Sequence, residues 1–210
     1  MSGMFITFEG GEGCGKSTQI KLLAQALAQC GYDVLQLREP GGTAVGERVR
    51  EVLLSKENDA MDPVAELMLY EAARAQIVAE VIRPALAAGK VVLCDRFYDS
   101  TVAYQGFARG LDVQLIESLN RAATGGLEPD LTLLLMLDPA EGLRRAMGVT
   151  GGDGQGDRIE SAGLEFHERV QEGFAFIAQR EPERVAVVGA QGSVDEVHDA
   201  VMARVLARLQ

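Results

Sequence analysis

Eight residues near the start of the chain combine a lysine and a hydroxyl side chain with a run of glycines. They are Gly10-Gly11-Glu12-Gly13-Cys14-Gly15-Lys16-Ser17, and they fit the pattern G-x-x-x-x-G-K-[ST]. Glycines let the backbone curl around an anion, so that its N–H groups point inward. We therefore expect Lys16 to reach the β- and γ-phosphates of a nucleotide and Ser17 to bind Mg²⁺. The alternative is a glycine-rich turn that only joins two elements.

The residues that flank this loop have the periodicities of a strand and a helix. Residues 4–8 form a short, largely apolar run, which predicts a buried strand. Residues 18–29 carry apolar side chains three and four positions apart, which predicts an amphipathic helix. Such a helix directs the positive end of its dipole at an anion held by the loop. The sequence therefore predicts strand, loop and helix in the order that a phosphate site requires.

A second pair of chemically active residues, Asp95-Arg96, follows an apolar segment at residues 90–94 that predicts another strand. Ligands of α/β sheets bind at the carboxyl ends of the strands, so this pair belongs to the same region as the glycine loop. The aspartate suits a carboxylate linked to Mg²⁺, and the arginine suits a bidentate phosphate clamp. The alternative is a structural ion pair.

Two further segments place cations near the predicted site. Arg38 follows a strand predicted at residues 33–37 and begins a tight proline–glycine loop, where it is either a surface charge or a phosphate ligand. Tyr70 and Arg74 lie four residues apart on a helix predicted at residues 62–88, with a kink or break at Pro84. The pair suits an aromatic ring stacked on a base with a cation beside it. The alternative is an arginine that extends over a core tyrosine.

Residues 97–109 and 148–156 are the remaining candidates for site segments. The first is dense in hydrogen-bonding side chains and suits a loop or short helix that lines a polar cleft: Tyr98, Asp99, Ser100, Thr101, Tyr104 and Gln105. The second contains five glycines and no cation, and Arg145 and Arg158 flank it. We interpret residues of about 144–160 as a mobile lid that closes over the phosphates. The alternative is a flexible surface loop.

The elements that position these residues follow from the same periodicities. Five apolar strands are predicted at residues 4–8, 33–37, 90–94, 131–137 and 184–188. Helices are predicted between and after them at residues 18–29, 43–54, 62–88, 112–123, 140–147, 161–179 and 193–209. This alternation predicts one α/β domain over residues 1–210, with a parallel sheet covered by helices on both faces.

Composition excludes several classes of protein. The net charge is −11, from 20 basic and 31 acidic residues, which argues against a surface that coats nucleic acid. No apolar run approaches the roughly 20 residues that span a bilayer, and the start of the chain lacks the features of a signal peptide. Three cysteines without metal spacing predict neither a disulfide nor a zinc site. We expect a cytoplasmic protein without nucleic-acid or membrane partners.

Taken together, the motifs resemble those of the thymidylate kinases, within the nucleoside monophosphate kinase group of P-loop proteins. The resemblance covers almost the whole chain and depends on five segments in order: residues 8–18, Arg38-Glu39-Pro40-Gly41-Gly42-Thr43, Ala72-Ala73-Arg74-Ala75-Gln76, residues 95–106 and Asp157-Arg158-Ile159-Glu160. It implies transfer of the γ-phosphate of ATP to dTMP, giving dTDP and ADP in dTTP synthesis, with Mg²⁺. It also implies a P-loop NTPase-type sheet in the strand order 2-3-1-4-5 and a homodimer.

The resemblance also implies a role for individual residues. ATP would contact Gly10, Gly11, Glu12, Gly13, Cys14, Gly15, Lys16, Ser17 and Thr18, with Ser17 and Asp95 at the metal. The dTMP site would comprise Arg96 and Arg38 at the phosphate, Glu12 near the 3′-hydroxyl, Tyr104 under the deoxyribose, Tyr70 on the thymine face, Arg74 and Gln105 at its edge, and Ser100. The catalytic set would be Lys16, Glu12, Arg96, Arg145 and Arg158.

Two departures from the family pattern bear on these expectations. Tyr70 stands where phenylalanine is usual, which adds a hydroxyl that needs a partner or water. The segment 148–156 has no arginine, although relatives with a similar phosphate loop carry arginines inside the lid, so we expect Arg145 rather than Arg144 or Arg158 to act there. Two alternatives stay open: a kinase for another nucleotide or a deoxynucleoside, and a nucleotide-binding regulatory protein with weak turnover.

Overall fold

A computed structural model describes residues 3–149 and 157–209 of the chain. The strands are β1 (Met4–Glu9), β2 (Val34–Arg38), β3 (Val91–Asp95), β4 (Leu131–Met136) and β5 (Val185–Gly189). The α-helices are α1 (Lys16–Gln29), α2 (Ala44–Leu54), α3 (Pro63–Ile77), α4 (Arg83–Ala87), α5 (Tyr98–Thr101), α6 (Val113–Thr124), α7 (Pro139–Val149), α8 (Leu164–Arg180) and α9 (Val194–Leu209). Short 3₁₀ turns at Lys56–Asn58 and Glu160–Ala162 join some of them.

The five strands form one parallel sheet in the order β2-β3-β1-β4-β5, as predicted. The register pairs Asp95 of β3 with Phe8 of β1 on one side and with Arg38 of β2 on the other. The carboxyl ends of three neighbouring strands therefore lie side by side at one edge of the sheet. This alignment brings the glycine loop, the Arg38 loop and the Asp95-Arg96 pair together.

Apolar side chains alternate between the two faces of the sheet, and helices cover both faces. Ile6 and Phe8 of β1 pack on the side of α1 and α9, in a cluster that includes Leu23 and Val201. Phe5, the preceding residue, points to the opposite side and packs with the segment from α3 to α4. All of these side chains are buried, so each face of the sheet is a hydrophobic core layer.

Local chemistry explains where the helices begin. Gly15 has φ +91°, a left-handed conformation that lets α1 start at Lys16, two residues earlier than the periodicity predicted. Thr43 accepts a hydrogen bond from the Gly46 N–H and caps α2. Asp62 accepts hydrogen bonds from the first turn of α3, and Pro63 occupies its first position. These caps place the starts of α2 and α3 within one residue of the starts predicted at residues 43 and 62.

Two segments depart from regular α-helix, and both follow predicted site elements. The helix predicted at residues 62–88 is divided by a π-helical segment at Val78–Ile82, just before Pro84, whose nitrogen has no hydrogen to donate. Residues predicted as a loop or short helix after Asp95 form α5 and then a second π-helical segment at Val102–Ala108. π-Helical turns are often found at functional sites.

The predicted lid is only partly described. Helix α7 extends to Val149, and the structure resumes at Asp157, so the glycine-rich centre of the lid lies outside the described residues. Within the parts that are described, no helix is both long enough and apolar enough to cross a bilayer.

Candidate active site

The glycine loop curls around the amino group of its own lysine. Lys16 Nζ donates to the carbonyl oxygens of Gly10 and Gly11 at 3.1 and 2.8 Å. Gly10 and Gly13 have φ +134° and +64°, and a Cβ at either position would collide with backbone of Leu135 or Gly142. The loop is therefore packed closely between β4 and α7, and only glycine fits at these two positions. Its lysine is buried, and these two carbonyl oxygens hold its amino group in place.

Ser17 and Asp95 meet at the carboxyl edge of the sheet. The Ser17 hydroxyl donates to Asp95 Oδ2 at 2.8 Å. Hydroxyl and carboxylate oxygens are hard ligands that suit Mg²⁺, which usually takes one or two protein oxygens and completes its shell with phosphate and water. Among residues 3–149 and 157–209, no cluster of three or more acidic, histidine or cysteine side chains could hold a metal by itself. The donor set thus fits a metal shared with a nucleotide.

Arg96 has a strained backbone and a fixed side chain. Its φ is +70°, which costs a non-glycine residue about 1–3 kcal/mol. Its Nη1 donates to the Gly10 carbonyl at 3.0 Å and to Ser100 Oγ at 3.3 Å. Its Nη2 forms an ion pair of 2.7 Å with Glu12. The turn therefore directs the guanidinium group back towards the glycine loop rather than along β3.

Glu12 is the carboxylate on which two predicted substrate contacts converge. Its Oε1 accepts hydrogen bonds from Arg96 at 2.7 Å and from the Tyr104 hydroxyl at 2.8 Å. Burial acts to raise its pKa, but the charges of Arg96 and Lys16 and the hydrogen bond from Tyr104 outweigh burial and lower the pKa to about 2. Arg96 also lies 4.9 Å from the centre of the Tyr104 ring. Glu12, Arg96 and Tyr104 therefore form one charged unit beside the loop.

Glu9, which was not assigned to the site from the sequence, stabilises the turn at Arg96 by hydrogen bonds to residues that follow it. This carboxyl group is completely buried; it accepts the Phe97 N–H at 2.7 Å and the Ser100 hydroxyl at 2.5 Å. Burial, together with the charge of Asp99, raises the pKa of Glu9 to about 8. Glu9 thus connects the end of β1 to two residues that follow the strained arginine.

Arg74 is enclosed in a polar cluster within the wall of the cavity. It is 1% exposed, and it donates to Glu39 at 2.9 Å, to Glu71 at 2.7 Å and to Asn120 at 3.1 Å. Its guanidinium group also lies 5.5 Å from the centre of the Phe97 ring. Burial raises the pKa of Glu39 to about 7 even though Arg74 lies beside it. The orientation of Arg74 is consequently fixed by three neighbours.

The other predicted base-site residues also face the cavity. Tyr70 lines it from α3; burial raises the pKa of its hydroxyl to about 12, and no described residue makes a hydrogen bond to that hydroxyl. Gln105 lines it from the π-helical segment and donates to Glu66 at 2.8 Å. Thr101, one of the hydrogen-bonding residues predicted to line a polar cleft, also lines the cavity, and its buried hydroxyl has no partner among the described residues.

The remaining predicted arginines have different surroundings. Arg38 is 45% exposed and pairs with Glu47 at 2.8 Å. Arg145 lines the cavity, where Nε donates to Glu141 at 2.7 Å, whereas Arg144 pairs with Glu141 but is not among the lining residues. Arg158 is buried; it forms an ion pair of 2.5 Å with Glu66 and donates to the Leu53 carbonyl at 2.8 Å. It is not a lining residue either, so these contacts favour a structural role at the foot of the predicted lid.

One cavity of about 700 Å³ brings most of the predicted residues together. Its described lining includes, from the predictions, Glu12, Gly13, Cys14, Gly15, Lys16, Ser17, Thr18, Arg38, Tyr70, Arg74, Asp95, Arg96, Ser100, Tyr104, Gln105 and Arg145. It extends from the glycine loop at one end to the predicted base-site residues Tyr70, Arg74 and Gln105 at the other. This volume is in the range typical of small-molecule sites.

The residues that sequence reasoning missed are mainly buried acids: Glu9, Glu39, Glu66 and Glu71. All four lie inside motifs or helices that were recognised, but neither periodicity nor composition indicates which arginine a glutamate pairs with. The available signal was the density of acids close to the predicted arginines, since a buried charge needs a partner.

A phosphate loop whose serine meets an aspartate at the carboxyl edge of a parallel sheet, with an arginine-lined cavity in front, defines a P-loop kinase. Comparison with known proteins identifies the group. Residues 8–201 match the family model described as thymidylate kinase. The chain is 51% identical to the thymidylate kinase of Geotalea uraniireducens over 209 residues (99% of this chain, 98% of that protein) and 56% identical to that of a Synechococcus species over 194 residues (92% and 90%).

A solved structure supports the same grouping. The crystal structure of thymidylate kinase from Ehrlichia chaffeensis superimposes with a TM-score of 0.80 at 34% identity, covering 98% of this chain and all of that one. The chain therefore belongs to the thymidylate kinase family, as its motifs predicted.

Proposed function

We propose that this chain transfers the γ-phosphate of ATP to the phosphate of dTMP, giving dTDP and ADP. Membership of the thymidylate kinase family supports the reaction. The assignment of roles to residues is supported by one observation: one cavity has the phosphate loop at one end and Tyr70, Arg74 and Gln105 at the other. Phosphoryl transfer needs two anions in line, and a cavity with two such ends suits that requirement.

On the donor side, the loop would bind the ATP phosphates. The N–H groups around Gly13 and Gly15 and the start of α1 form an anion site, and the amino group of Lys16 is close to it. In the described structure Lys16 Nζ is held by two carbonyl oxygens. Neither oxygen is negatively charged, so the β- and γ-phosphates are stronger partners for this ammonium group.

The metal belongs to the same proposal. Ser17 and Asp95 would hold Mg²⁺, which when bound neutralises part of the charge on the β- and γ-phosphates. The hydrogen bond of 2.8 Å between them keeps both oxygens at one point of the sheet edge.

On the acceptor side, Arg96 would bind the phosphate of dTMP, with Arg38 nearer to the solvent. Arg96 is oriented by Gly10 and Ser100, and Glu12 is available for the 3′-hydroxyl. The acceptor is a phosphate oxygen that is already anionic at neutral pH, so the reaction needs no strong general base. Arg145 would add positive charge near the transferred phosphoryl group, where charge is stabilised in the transition state.

Tyr70 would stack on the thymine ring, while Arg74 and Gln105 would contact its edge. Tyr104, whose ring lies beneath Arg96, would lie against the deoxyribose and disfavour a 2′-hydroxyl. These assignments share one support: all four side chains line the cavity and are held by packing or hydrogen bonds.

Homodimer formation and a cytoplasmic location complete the proposal. Val45 and Val52 of α2, Val64 and Met68 of α3 and Leu115 of α6 are each 42–50% exposed. Because α3 packs against both α2 and α6, these residues provide an apolar surface for a second copy. M68E should convert a dimer to a monomer in sedimentation analysis; a wild-type monomer would contradict the proposal.

Cys14, Cys30 and Cys94 are unpaired thiols, as expected in a reducing compartment.

A coupled assay of ADP release, with ATP and Mg²⁺, tests the reaction. The acceptors are dTMP, dUMP, dCMP, AMP, GMP and thymidine, and we expect a clear preference for dTMP. Preference for another monophosphate would retain the Arg96 clamp and overturn Tyr70, Arg74 and Gln105 as a thymine site. Turnover of thymidine alone would overturn the clamp. Absence of turnover from protein that still binds ATP would favour a regulatory nucleotide-binding role.

A further inference from the structure

A buried glutamate joins the base end of the cavity to the foot of the predicted lid. Glu66 of α3 is 1% exposed and forms contacts with three side chains. Its Oε1 accepts from Gln105 Nε2 at 2.8 Å and from Arg109 Nε at 3.2 Å. Its Oε2 pairs with Arg109 at 3.2 Å and with Arg158 at 2.5 Å. Glu66 thus has donors on both oxygens and contacts no solvent.

The chemistry of Glu66 decides which way the amide of Gln105 faces. An ionised carboxylate only accepts hydrogen bonds, so the Gln105 group that meets it must be the NH₂. Burial acts to raise the pKa of Glu66, but the hydrogen bonds from Gln105 and Arg109 outweigh it and lower the pKa, which favours the ionised form. No described residue donates to Gln105 Oε1, and Gln105 lines the cavity. The amide therefore presents its carbonyl oxygen to the cavity.

We propose that Glu66 is a positioning residue that fixes the Gln105 carbonyl oxygen as a hydrogen-bond acceptor for the pyrimidine. This inference rests on the proposed function, in which Gln105 contacts the base edge. Thymine carries a donor at N3, whereas cytosine carries an acceptor at the same position. An amide held with its oxygen outward therefore favours thymine and disfavours cytosine. Without Glu66 the same amide could rotate, and it could then form a hydrogen bond with either thymine or cytosine.

Replacing Glu66 by glutamine should reverse the amide. Oε2 faces two cationic groups, Nη2 of Arg109 and Nη2 of Arg158, whereas Oε1 faces the neutral Gln105 amide and Nε of Arg109. The carbonyl oxygen of the new side chain therefore stays on the Oε2 side. Its NH₂ then faces Gln105, and two NH₂ groups cannot bond to each other. The Gln105 amide turns, gives its oxygen to residue 66 and presents its NH₂ to the base. E66Q is therefore expected to alter base preference, beyond any loss of stability.

The test compares dTMP with 5-methyl-dCMP, which keeps the methyl group but carries an acceptor at N3. We expect E66Q to lower the ratio of kcat/KM for dTMP over 5-methyl-dCMP by about tenfold or more, the effect of turning a buried donor–acceptor match into a mismatch. R109M is the matched control, because it removes a different partner of Glu66 and leaves the Gln105 contact in place. Its ratio should equal that of the wild type.

Energetic coupling between Glu66 and Gln105 provides a second readout. In a Q105M background E66Q should leave the ratio unchanged, since no amide remains to turn. If E66Q lowers kcat/KM for both nucleotides equally, or if R109M changes the ratio as much, Glu66 only stabilises the fold and the proposal is overturned.

Q105E keeps the proposal testable if E66Q does not fold. A protonated carboxyl at position 105 can donate to Glu66 and still present an oxygen to the base, so the preference for dTMP should survive. Loss of that preference would mean that Gln105 donates to the base, contrary to the proposal. Failure of the proposed function is distinguishable, because the wild type would then show no preference for dTMP.

Discussion

The buried carboxyl of Glu9 gives the sharpest quantitative prediction. Both of its oxygens are used, by the Phe97 N–H at 2.7 Å and by the Ser100 hydroxyl at 2.5 Å. A glutamine has the same shape: its oxygen accepts from Phe97, and its NH₂ donates to the Ser100 oxygen. E9Q therefore imitates the protonated form of Glu9, and it should fold and keep the Arg96 turn.

The magnitude follows from the pKa of Glu9, which burial and the charge of Asp99 raise from 4.5 to about 8. Between these two pH values the folded protein keeps a proton that the unfolded chain releases, so the free energy of unfolding falls as the pH rises. Each tenfold change in proton affinity corresponds to about 1.4 kcal/mol, so above pH 8 the wild type has lost about 3 to 5 kcal/mol of its free energy of unfolding. E9Q has no such proton and avoids the loss.

The assay is urea denaturation of wild type and E9Q at several pH values from 5 to 8.5. The stability of E9Q minus that of the wild type should increase with pH over this interval. E12Q is the control: Glu12 has its pKa lowered from 4.5 to about 2, so the stability that its charge provides is complete above pH 4.5 and is lost only as the pH falls towards 2. The difference in stability between E12Q and the wild type should therefore stay constant from pH 5 to 8.5. A difference between E9Q and wild type that does not change with pH would refute the reasoning.

Three further predictions concern turnover. Lys16→Ala should lower kcat by about a hundredfold or more, as for other preorganised donors, with the fold retained by circular dichroism; near-normal rates would remove Lys16 from the ATP site. Tyr70→Ala should raise the KM for dTMP by about tenfold, from lost stacking, and leave that for ATP unchanged, whereas Y70F should behave as wild type; equal effects on both substrates would contradict stacking. Arg145→Ala should lower kcat more than it weakens dTMP binding; an unchanged kcat would move the role to Arg144 or Arg158.

The fold was predictable because strand and helix periodicities and the caps act locally. Thr43 and Asp62 cap helices that begin within one residue of their predicted starts, and the five strands lie where the apolar runs indicated. The observed ends of strands and helices differ from the predicted ends by one to three residues where tertiary contacts set them. Helix α1 begins at Lys16 because Gly15 takes a left-handed conformation that no periodicity records.

The surroundings of the site residues were less predictable, because long-range pairs decide them. Arg158 was expected among the catalytic residues, yet its ion pair with Glu66 joins residues 92 positions apart, and no local pattern indicates it. The π-helical segment at Val102–Ala108 directs Tyr104 and Gln105, and its sequence gives no sign of a widened helix. The catalytic roles of Arg145 and Arg158 stay predictions until kinetics test them.

The buried acids explain how a chain of net charge −11 can still bind two anionic substrates. Arg96 and Arg74 are each oriented by several hydrogen bonds before any ligand arrives, so binding loses less side-chain entropy. In the proposed site the phosphate of dTMP would compete with Glu12 for Nη2 of Arg96, while the Gly10 carbonyl would continue to hold Nη1. Displacing Glu12 would therefore free one edge of the guanidinium group without releasing its orientation. Anion binding at this cavity depends on how each arginine is held, and the total charge of the chain does not determine it.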